Sequence, residues 1–427
     1  MSAVAPASAS LRAIREVIAD AAQSQTRLRI AGGGTWLDAG HPVHAGLMLP
    51  TAELSGVVEY VPGDLVITVG AGTTLAEIAR VTAKHDQWLA LEPFVSTEGL
   101  SRATVGATIA TASHGPLAGA FGRARDLVLG LSFVTGDGTL CSAGGRVVKN
   151  VAGFDLVRLM TGAFGTLGVI TEVSLRLHAK PTVDESFAIV LDVPAAGERR
   201  DRALAQLVER MNVAPMLAVT SSLASLVVVA HALPDALQVA HGTPSASLLL
   251  LARATGNAAR VAALRHALSA FGAVHAVSPD VWTTIRTMDV GDVTFRMTDA
   301  PLRTANTLRA LEQWAEATDA RSVCTLMDPL RGVLRVSCSA PPASRTDEGG
   351  GAQQTPDDTQ RVCSLPDHAR AERMPHAWWP HARGSGHDAI AHRLRQRFDP
   401  TGILNTGIMG ACADDRPLRA KREVPDA

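Results

Sequence analysis

Three consecutive glycines near the start of the chain place the strongest restriction on its fold. Gly32-Gly33-Gly34 follows the short segment 27–31, in which Leu28, Ile30 and Ala31 are apolar, and precedes Thr35. A glycine has no Cβ atom, so the backbone can approach a neighbouring group closely, and successive N–H groups in such a turn can face an anion. The pattern predicts a strand ending at Ala31 and a loop suited to a pyrophosphate. An ordinary tight turn would have the same sequence.

Two further segments are rich in glycine and small residues. Almost every side chain between Thr104 and Gly115 is small, which suits a flat wall beside a planar cofactor or, alternatively, a tightly packed turn in an ordinary core. The segment 162–172 carries three glycines and is predicted to turn from a helix at 155–160 into a half-buried strand at 168–177, where apolar residues alternate.

The remaining patterns of the first 180 residues predict a mixed α+β unit. Helical spacing of apolar residues predicts a helix at 11–23. Pro62-Gly63-Asp64 and Gly136-Asp137-Gly138 each separate two apolar runs, which predicts two β-hairpins. Thr74 stands three residues before Glu77, a capping-box pattern that predicts a helix at 75–83.

Gly70-Ala71-Gly72 resembles part of a dinucleotide-binding fingerprint. The third glycine is missing, and no acidic residue follows at the required distance. We therefore interpret this segment as a capped turn between a strand and a helix.

Length and composition predict two globular domains. The chain has 427 residues, more than the roughly 250 to 300 at which a single core stops growing. After Lys180-Pro181 the pattern changes to longer alternating strands and helices, which predicts a second α+β domain from about residue 182. The uncharged stretch 211–234 is interrupted by polar residues too often to span a membrane, and we expect buried strands there.

Composition also argues against several classes of function. The five cysteines are scattered without the C-x-x-C spacing of zinc or iron–sulfur sites, and their odd number argues against a disulfide framework. A net charge of −1 without a basic stretch argues against a nucleic-acid partner. The residues 1–10 lack the features of a secretory signal, so a cytoplasmic protein is expected.

The order of these segments resembles one known family. The glycine loop, the small-residue segment, the second hairpin, the run 148–156 and the segment 165–171 are similar to the FAD-binding domain of the vanillyl-alcohol-oxidase (PCMH-type) family. The segment 398–407 resembles that family's closing motif, which returns from the cap to the flavin. The run 148–156 is most similar to the FAD-binding subunits of glycolate oxidase. Phe154 and Thr406 depart from the family pattern, which usually has Tyr and Pro there.

The resemblance implies an α+β fold, with a two-part FAD-binding domain and an α+β cap domain that contains an antiparallel sheet. The implied units are an FAD-binding domain at 1–181, a cap at 182–339, a flexible polar loop at 340–370, a C-terminal segment at 371–412 that returns to the flavin, and a tail at 413–427.

The resemblance also implies which residues bind FAD. The implied cofactor-binding residues are Ala31, Gly32, Gly33, Gly34, Thr35, Thr104, Val105, Gly106, Thr108, Ala112, Ser113, Gly115, Gly168, Val169, Ile170 and Asn405. Some family members attach flavin covalently through a His or Cys in these loops. Here the first loop has Gly34-Thr35, and His114 is the only such residue in the second, so non-covalent FAD is expected.

The catalytic residues are not identified by the sequence. A hydroxy acid needs a base for its hydroxyl proton and a cation for its carboxylate. Four residues of the cap could serve, but their spacing favours none of them: Arg286, Arg296, Arg331 and His381. The metal-binding histidine pair of the family's D-2-hydroxy-acid-oxidising flavin subunits is missing between 182 and 390. The irregular cluster His376, His381, His387 and His392 fits no metal motif, and no metal is expected.

Three functions remain open at this point. The resemblance favours an FAD-carrying subunit of a glycolate-oxidising complex, with a small hydroxy acid as substrate, a sister flavoprotein and an iron–sulfur subunit as partners, and only indirect membrane association. The alternatives are a self-sufficient FAD-dependent oxidase or dehydrogenase and a non-catalytic FAD-binding assembly subunit.

Overall fold

The first part of the chain folds around a small parallel strand pair and a five-stranded sheet. The structure is a computed structural model, and it describes residues 6–145, 154–193, 197–230, 248–288, 291–318, 320–339, 369–375, 378–379 and 389–410. The helices of this part are α1 (Pro6–Ser24), α2 (Leu75–Thr82), α3 (Val105–Thr111), α4 (Ala118–Phe121), α5 (Ala124–Leu127) and α6 (Leu156–Met160). Its strands are β1 (Leu28–Ala31), β2 (Leu47–Pro50), β3 (Val57–Val61), β4 (Val66–Gly70), β5 (Gln87–Trp88), β6 (Val128–Val134), β7 (Leu140–Gly144), β8 (Val169–Arg176) and β9 (His178–Ala179).

The five-stranded sheet is antiparallel and has the strand order β3-β4-β8-β6-β7. Both predicted hairpins are confirmed, because β3 pairs with β4 and β6 pairs with β7. The predicted N-terminal cap of helix α2 is confirmed as well, since the Thr74 hydroxyl accepts a hydrogen bond from the Glu77 amide at 3.1 Å. Buried residues of the sheet, such as Phe133 and Val173, pack against Ile109 of α3.

The second part of the chain is built on an eight-stranded antiparallel sheet. Its strands are β10 (Val183–Leu191), β11 (Ser225–Ala230), β12 (Leu248–Gly256), β13 (His275–Val277), β14 (Val293–Thr298), β15 (Arg321–Asp328), β16 (Val333–Ser339) and β17 (Ala369–Arg373). Its helices are α7 (Gly197–Asn212), α8 (Met216–Thr220), α9 (Ala258–Leu268), α10 (Asp280–Thr287) and α11 (Thr304–Thr318). The strand order is β13-β10-β12-β11-β15-β16-β14-β17.

Strand alternation gives this sheet two different faces. The helices α7, α9 and α11 cover one face and form a large apolar core with it, whereas α10 packs against part of the other face. On β14 the apolar Phe295 and Met297 belong to the helix-covered core. Because successive side chains in a strand point to opposite faces, Arg296 lies on the face away from these helices.

Two sequence predictions in this part were wrong. The stretch 211–234 was expected to form buried strands, but its described residues include the end of α7, the helix α8 and only one strand, β11. The polar loop was expected to reach residue 370, but β17 begins at Ala369. The residues 340–368 and the tail 413–427 lie outside the described residues. No described helix has both the length and the apolar character needed to cross a membrane.

The C-terminal helix α12 (Ala389–Phe398) leads into a segment that returns to the first part of the chain. The Leu28 amide donates to the Ile403 carbonyl at 2.7 Å, and the Asn405 amide donates to the Leu28 carbonyl at 3.0 Å. Ile403 and Leu404 are buried with α1 and β1. Residues at the two ends of the chain therefore complete one core.

Candidate functional site

The glycine loop packs directly against the start of α3. A Cβ atom on Gly33 would lie 1.7 Å from the Arg102 carbonyl oxygen, and one on Gly32 would lie 2.3 Å from Thr104 Oγ1. Gly34 has φ +78°, in the left-handed region that favours glycine. The first two glycines are therefore required by contact with the protein itself, and the third by its backbone conformation.

A narrow cleft of about 70 Å³ lies beside this loop. Nine of the residues assigned to FAD by resemblance line it: Ala31, Gly32, Gly34, Thr35, Gly106, Gly168, Val169, Ile170 and Asn405. The hydroxyl of Thr35 is buried, and so is that of Thr104 behind the loop; neither has a hydrogen-bond partner among the described residues. Buried polar groups are normally paired, and of these two residues only Thr35 lines the cleft, so its hydroxyl is available to a polar group bound there.

A larger cavity of about 320 Å³ continues from the narrow cleft, and both are lined by Trp36, Thr111, Phe164 and Ile408. Ala112, Ser113 and Gly115 line the larger cavity. These residues directly follow α3. We call the two volumes together the groove; its narrow end is lined by the first part of the chain and the C-terminal segment, and its larger end also by the eight-stranded sheet.

The structure corrects the prediction for the small-residue segment. It is not a continuous loop, because Val105–Thr111 is the helix α3. The side chains of Val105 and Thr108 are buried, and Thr108 Oγ1 donates to the Thr104 carbonyl at 2.9 Å. Thr104, Val105, Thr108 and Gly33 do not line either cavity. They support the wall from behind.

Asn405 connects three segments that are distant in the sequence. Its Oδ1 accepts from the Ile30 amide at 2.9 Å, and its Nδ2 donates to the Phe164 carbonyl at 2.7 Å. The side chain is buried, and the residue has φ 43°, which asparagine tolerates better than most residues. The asparagine therefore fixes β1 and the turn before β8 at the narrow cleft.

His114 lines the larger cavity on the FAD-domain side. Its Nδ1 lies 2.9 Å from the Ala112 carbonyl, which can only accept a hydrogen bond. Nδ1 therefore carries the proton, and Nε2 keeps its lone pair. Burial lowers the pKa of His114 to about 4, and the charges of Arg296 and Arg123 act in the same direction. The imidazole is neutral at physiological pH and can accept a proton.

Three arginines form a row on the opposite wall of the larger cavity. Arg296 of β14 lies directly opposite Arg335 of β16 on one side and Arg370 of β17 on the other. All three line the cavity. Arg335 also lies over the Phe94 ring, with 4.3 Å between its guanidinium carbon and the ring centroid. We call Arg335, Arg296 and Arg370 the arginine row.

Glu372 is placed beside this row by a β-bulge. Thr294 pairs with Arg373 and Phe295 pairs with Ala371, so Glu372 is the extra residue on β17. Bulges redirect side chains and are frequent next to active sites. Glu372 forms ion pairs with Arg296 and with Arg335. Burial alone would raise the pKa of Glu372, but the charges of Arg335 and Arg296 outweigh burial and lower it to about 2.

The next residue, Arg373, connects the same strand to the glycine loop. Its Nε lies 3.0 Å from Asp38 Oδ2, and its guanidinium donates to the Thr35 carbonyl at 3.1 Å. It also lies over the Trp36 ring. One strand therefore lines the larger cavity and also contacts Thr35 of the narrow cleft.

Sequence reasoning found only part of this wall. Arg296 and Arg331 were among the predicted cap residues and line the cavity, whereas Arg286 lies near Glu92 and does not. Arg335, Arg370 and Glu372 were missed. The sequence offered one signal for Arg335, because this residue is a charged side chain within the mostly apolar run that forms β16. Of the histidine cluster, only His392 is described; it lies on α12 with its ring 2.9 Å from the Gln396 amide.

The two departures from the family pattern lie outside the cavity lining. Phe154 is 94 % exposed. The Thr406 hydroxyl donates to the Gly402 carbonyl within the C-terminal turn. The run 146–153, which precedes Phe154, lies outside the described residues.

Comparison with known proteins identifies the first part of the chain. Residues 3–144 match the protein family described as FAD binding domain. This region is an FAD-binding domain. The 4-ethylphenol oxidase from Gulosibacter chungangensis, in its isoeugenol complex, is similar with a TM-score of 0.66 at 13% identity, covering 95% of this chain and 88% of that one. The predicted vanillyl-alcohol-oxidase-type α+β fold is thereby confirmed, and FAD is the cofactor of the domain.

Two curated relatives match similar shares of the chain. The glycolate oxidase subunit GlcE of Escherichia coli (strain K12) is 39% identical over 176 residues, which are 41% of this chain and 49% of that protein. A D-lactate dehydrogenase of Archaeoglobus fulgidus is 31% identical over 198 residues, 42% of this chain and 43% of that protein. The matched region thus spans less than half the length of each of these relatives.

Proposed function

We propose that this chain is the FAD-carrying subunit of a glycolate-oxidising complex, and that it oxidises glycolate or a related 2-hydroxy acid at its own flavin. The observation that carries the proposal is the larger cavity, which has the arginine row on one wall and a neutral histidine on the other. A carboxylate and a hydroxyl on adjacent carbons require this pair of groups. The similarity to a glycolate oxidase subunit supports the choice of substrate.

The groove fits FAD held without a covalent bond. The amides of the glycine loop and the Thr35 hydroxyl would hold the pyrophosphate, and Val169 and Ile170 would flank the adenine end. Ala112, Ser113 and Gly115 would contact the ring system. Bound FAD supplies the two-electron acceptor for the reaction.

The residues of this chain would position the acid and move its proton. The arginine row holds the carboxylate, because guanidinium groups bind carboxylates through paired, charge-assisted hydrogen bonds. Nε2 of His114 would accept the hydroxyl proton as the hydride leaves the carbon that carries this hydroxyl, which yields the 2-oxo acid. The cavity lies between the FAD-binding domain and the cap sheet, which restricts the access of water to both groups.

The electrons would leave through partner subunits. The five cysteines have no iron–sulfur spacing, so we assign the iron–sulfur cluster to a separate subunit, beside a sister flavoprotein. The complex would be cytoplasmic, and any membrane contact would be made by its partners.

Anaerobic titration of the isolated, FAD-loaded chain tests this function. We expect glycolate or D-lactate to remove the absorbance of oxidised flavin without any partner present. Simple alcohols that lack a carboxylate should leave it unchanged. Reduction only after addition of the sister flavoprotein would contradict substrate oxidation by this chain. Purified protein that does not retain FAD at micromolar concentration would contradict the proposal as a whole.

A further inference from the structure

The arginine row is an unfavourable arrangement unless anions compensate it. Like charges directly opposite each other destabilise a β-sheet, and here Arg296 faces Arg335 and Arg370 across its two neighbouring strands. Glu372 supplies one negative charge to three positive ones. The wall therefore has a surplus of positive charge. Because Glu372 already pairs with two of the arginines, its position determines which arginine remains for a bound anion.

Glu372 already makes the contacts that a bound carboxylate would make at one end of the row. Its Oε1 pairs with Arg296, and its Oε2 lies 2.5 Å from Arg335. The side chains of Glu372 and Arg335 are only 10% and 9% exposed. This end of the row is thus occupied by a fixed carboxylate of the protein, although both residues still line the cavity.

Arg370 is different from the other two arginines. It is exposed towards the cavity, and no carboxylate of the described residues forms an ion pair with it. Partial burial and the neighbouring charge of Arg296 lower its pKa, so an added anion would relieve an electrostatic penalty. Arg370 is therefore the end of the row at which a substrate carboxylate can be held.

Resting on the proposed function, we infer that Glu372 restricts the site to 2-hydroxy acids with a single carboxylate, which Arg370 holds. Glu372 takes the position that a second substrate carboxylate would need and repels one that approaches. Its replacement by glutamine keeps the shape but removes the charge and frees hydrogen-bond donors of Arg296 and Arg335. The site would then accept 2-hydroxy dicarboxylates.

Two non-reactive acids test the inference by direct binding. In 2-hydroxyisobutyrate and 2-methylmalate the hydroxyl carbon carries no hydrogen, so neither can transfer a hydride, and the second differs from the first by one added carboxylate. Isothermal titration calorimetry on the FAD-loaded chain measures both affinities without turnover. We expect the unmodified protein to bind 2-hydroxyisobutyrate more tightly. In Glu372→Gln the affinity ratio should shift towards 2-methylmalate by roughly tenfold to a hundredfold, the size of one charge-assisted contact.

Further variants keep the result interpretable. Arg370→Gln should weaken binding of 2-hydroxyisobutyrate by about tenfold or more with an unchanged melting temperature, because this arginine is exposed. Glu316→Gln and Arg202→Gln change the same residue types at exposed positions on α11 and α7 and should match the unmodified protein. The Arg370 result stands even if Glu372→Gln fails to fold.

Different results would contradict the role of Glu372 and Arg370 and the proposed function of the chain. Tighter binding of 2-methylmalate than of 2-hydroxyisobutyrate by the unmodified protein would overturn the inference, and so would an unchanged ratio in folded Glu372→Gln or full binding by Arg370→Gln. An unmodified, FAD-loaded protein that binds neither acid and is not reduced by glycolate would instead overturn the proposed function.

Discussion

The two walls of the groove are built by different means. The FAD-domain wall includes backbone and small side chains from the glycine loop and the segment that follows α3, together with a few larger residues such as Trp36 and His114. The cap wall combines apolar residues such as Leu326 and Met327 with long charged side chains from three strands, Arg335, Arg296 and Arg370 lying in one row. In the proposed function, the first wall would bind the cofactor through shape and backbone N–H groups, and the second would bind the substrate through charge. Substitutions on the first should therefore change cofactor retention, and those on the second should change substrate binding.

The largest expected effect concerns the first wall. Gly33→Val should abolish FAD retention, because its Cβ atom would overlap the Arg102 carbonyl and displace the glycine loop. The ratio of flavin to protein after purification measures this. Gly63→Val is the matched control, since a Cβ atom there would meet no atom within 4 Å. Normal flavin content in Gly33→Val would show that the loop does not hold the cofactor.

The next effect concerns proton transfer between the walls. His114→Asn should slow flavin reduction by substrate about a hundredfold or more, the usual contribution of a general base, while flavin content stays the same. Because the pKa of His114 is lowered to about 4, the base is neutral above that pH and is lost as the pH falls through it. Rapid mixing at several pH values should show a flat rate near neutrality and a decline only in acid. A decline near the ordinary histidine pKa would contradict the assignment.

Asn405→Ala should have an intermediate effect on the first wall alone. It leaves the Ile30 amide and the Phe164 carbonyl without their side-chain partner, which costs roughly 2 to 5 kcal/mol of unfolding free energy. Denaturant titration of the FAD-free protein measures the loss. Thr406→Ala removes a hydroxyl whose partner among the described residues is the Gly402 carbonyl of its own turn, and it should cost far less. Equal losses in the two variants would argue against a joining role for Asn405.

The smallest expected effect tests whether the walls are independent. Arg373 belongs to the cap strand β17 but contacts Thr35 and Asp38 beside the glycine loop. Arg373→Met should weaken FAD binding by about tenfold, the value of one charge-assisted contact, and Asp38→Asn less, because Asp38 is 67% exposed. Fluorescence titration with FAD checks both. An unchanged affinity in Arg373→Met would mean that the cap does not support the cofactor loop.

Local sequence determined the FAD-domain wall to a large extent. The strand before the glycines, both hairpins and the Thr74 cap depend on residues within a few positions of one another, and the structure has them all. The same reasoning failed for the helix α8. Its apolar run is too short for the spacing of apolar residues to distinguish a helix from a strand. It also missed α3, since small residues suit a loop and a helix equally well.

Tertiary structure alone decided the rest of the site. Arg296, Arg335 and Arg370 meet because three strands from distant parts of the chain pair in one register, and a one-residue slip would turn a side chain to the opposite face. The bulge at Glu372 is such a register change, and no local pattern marks it. The sequence by itself thus indicated the FAD-binding domain, through the order of several local segments and not through the glycine loop alone. Only the fold decided what faces the flavin groove, because the charges of the cap wall act through neighbours that the sequence keeps apart.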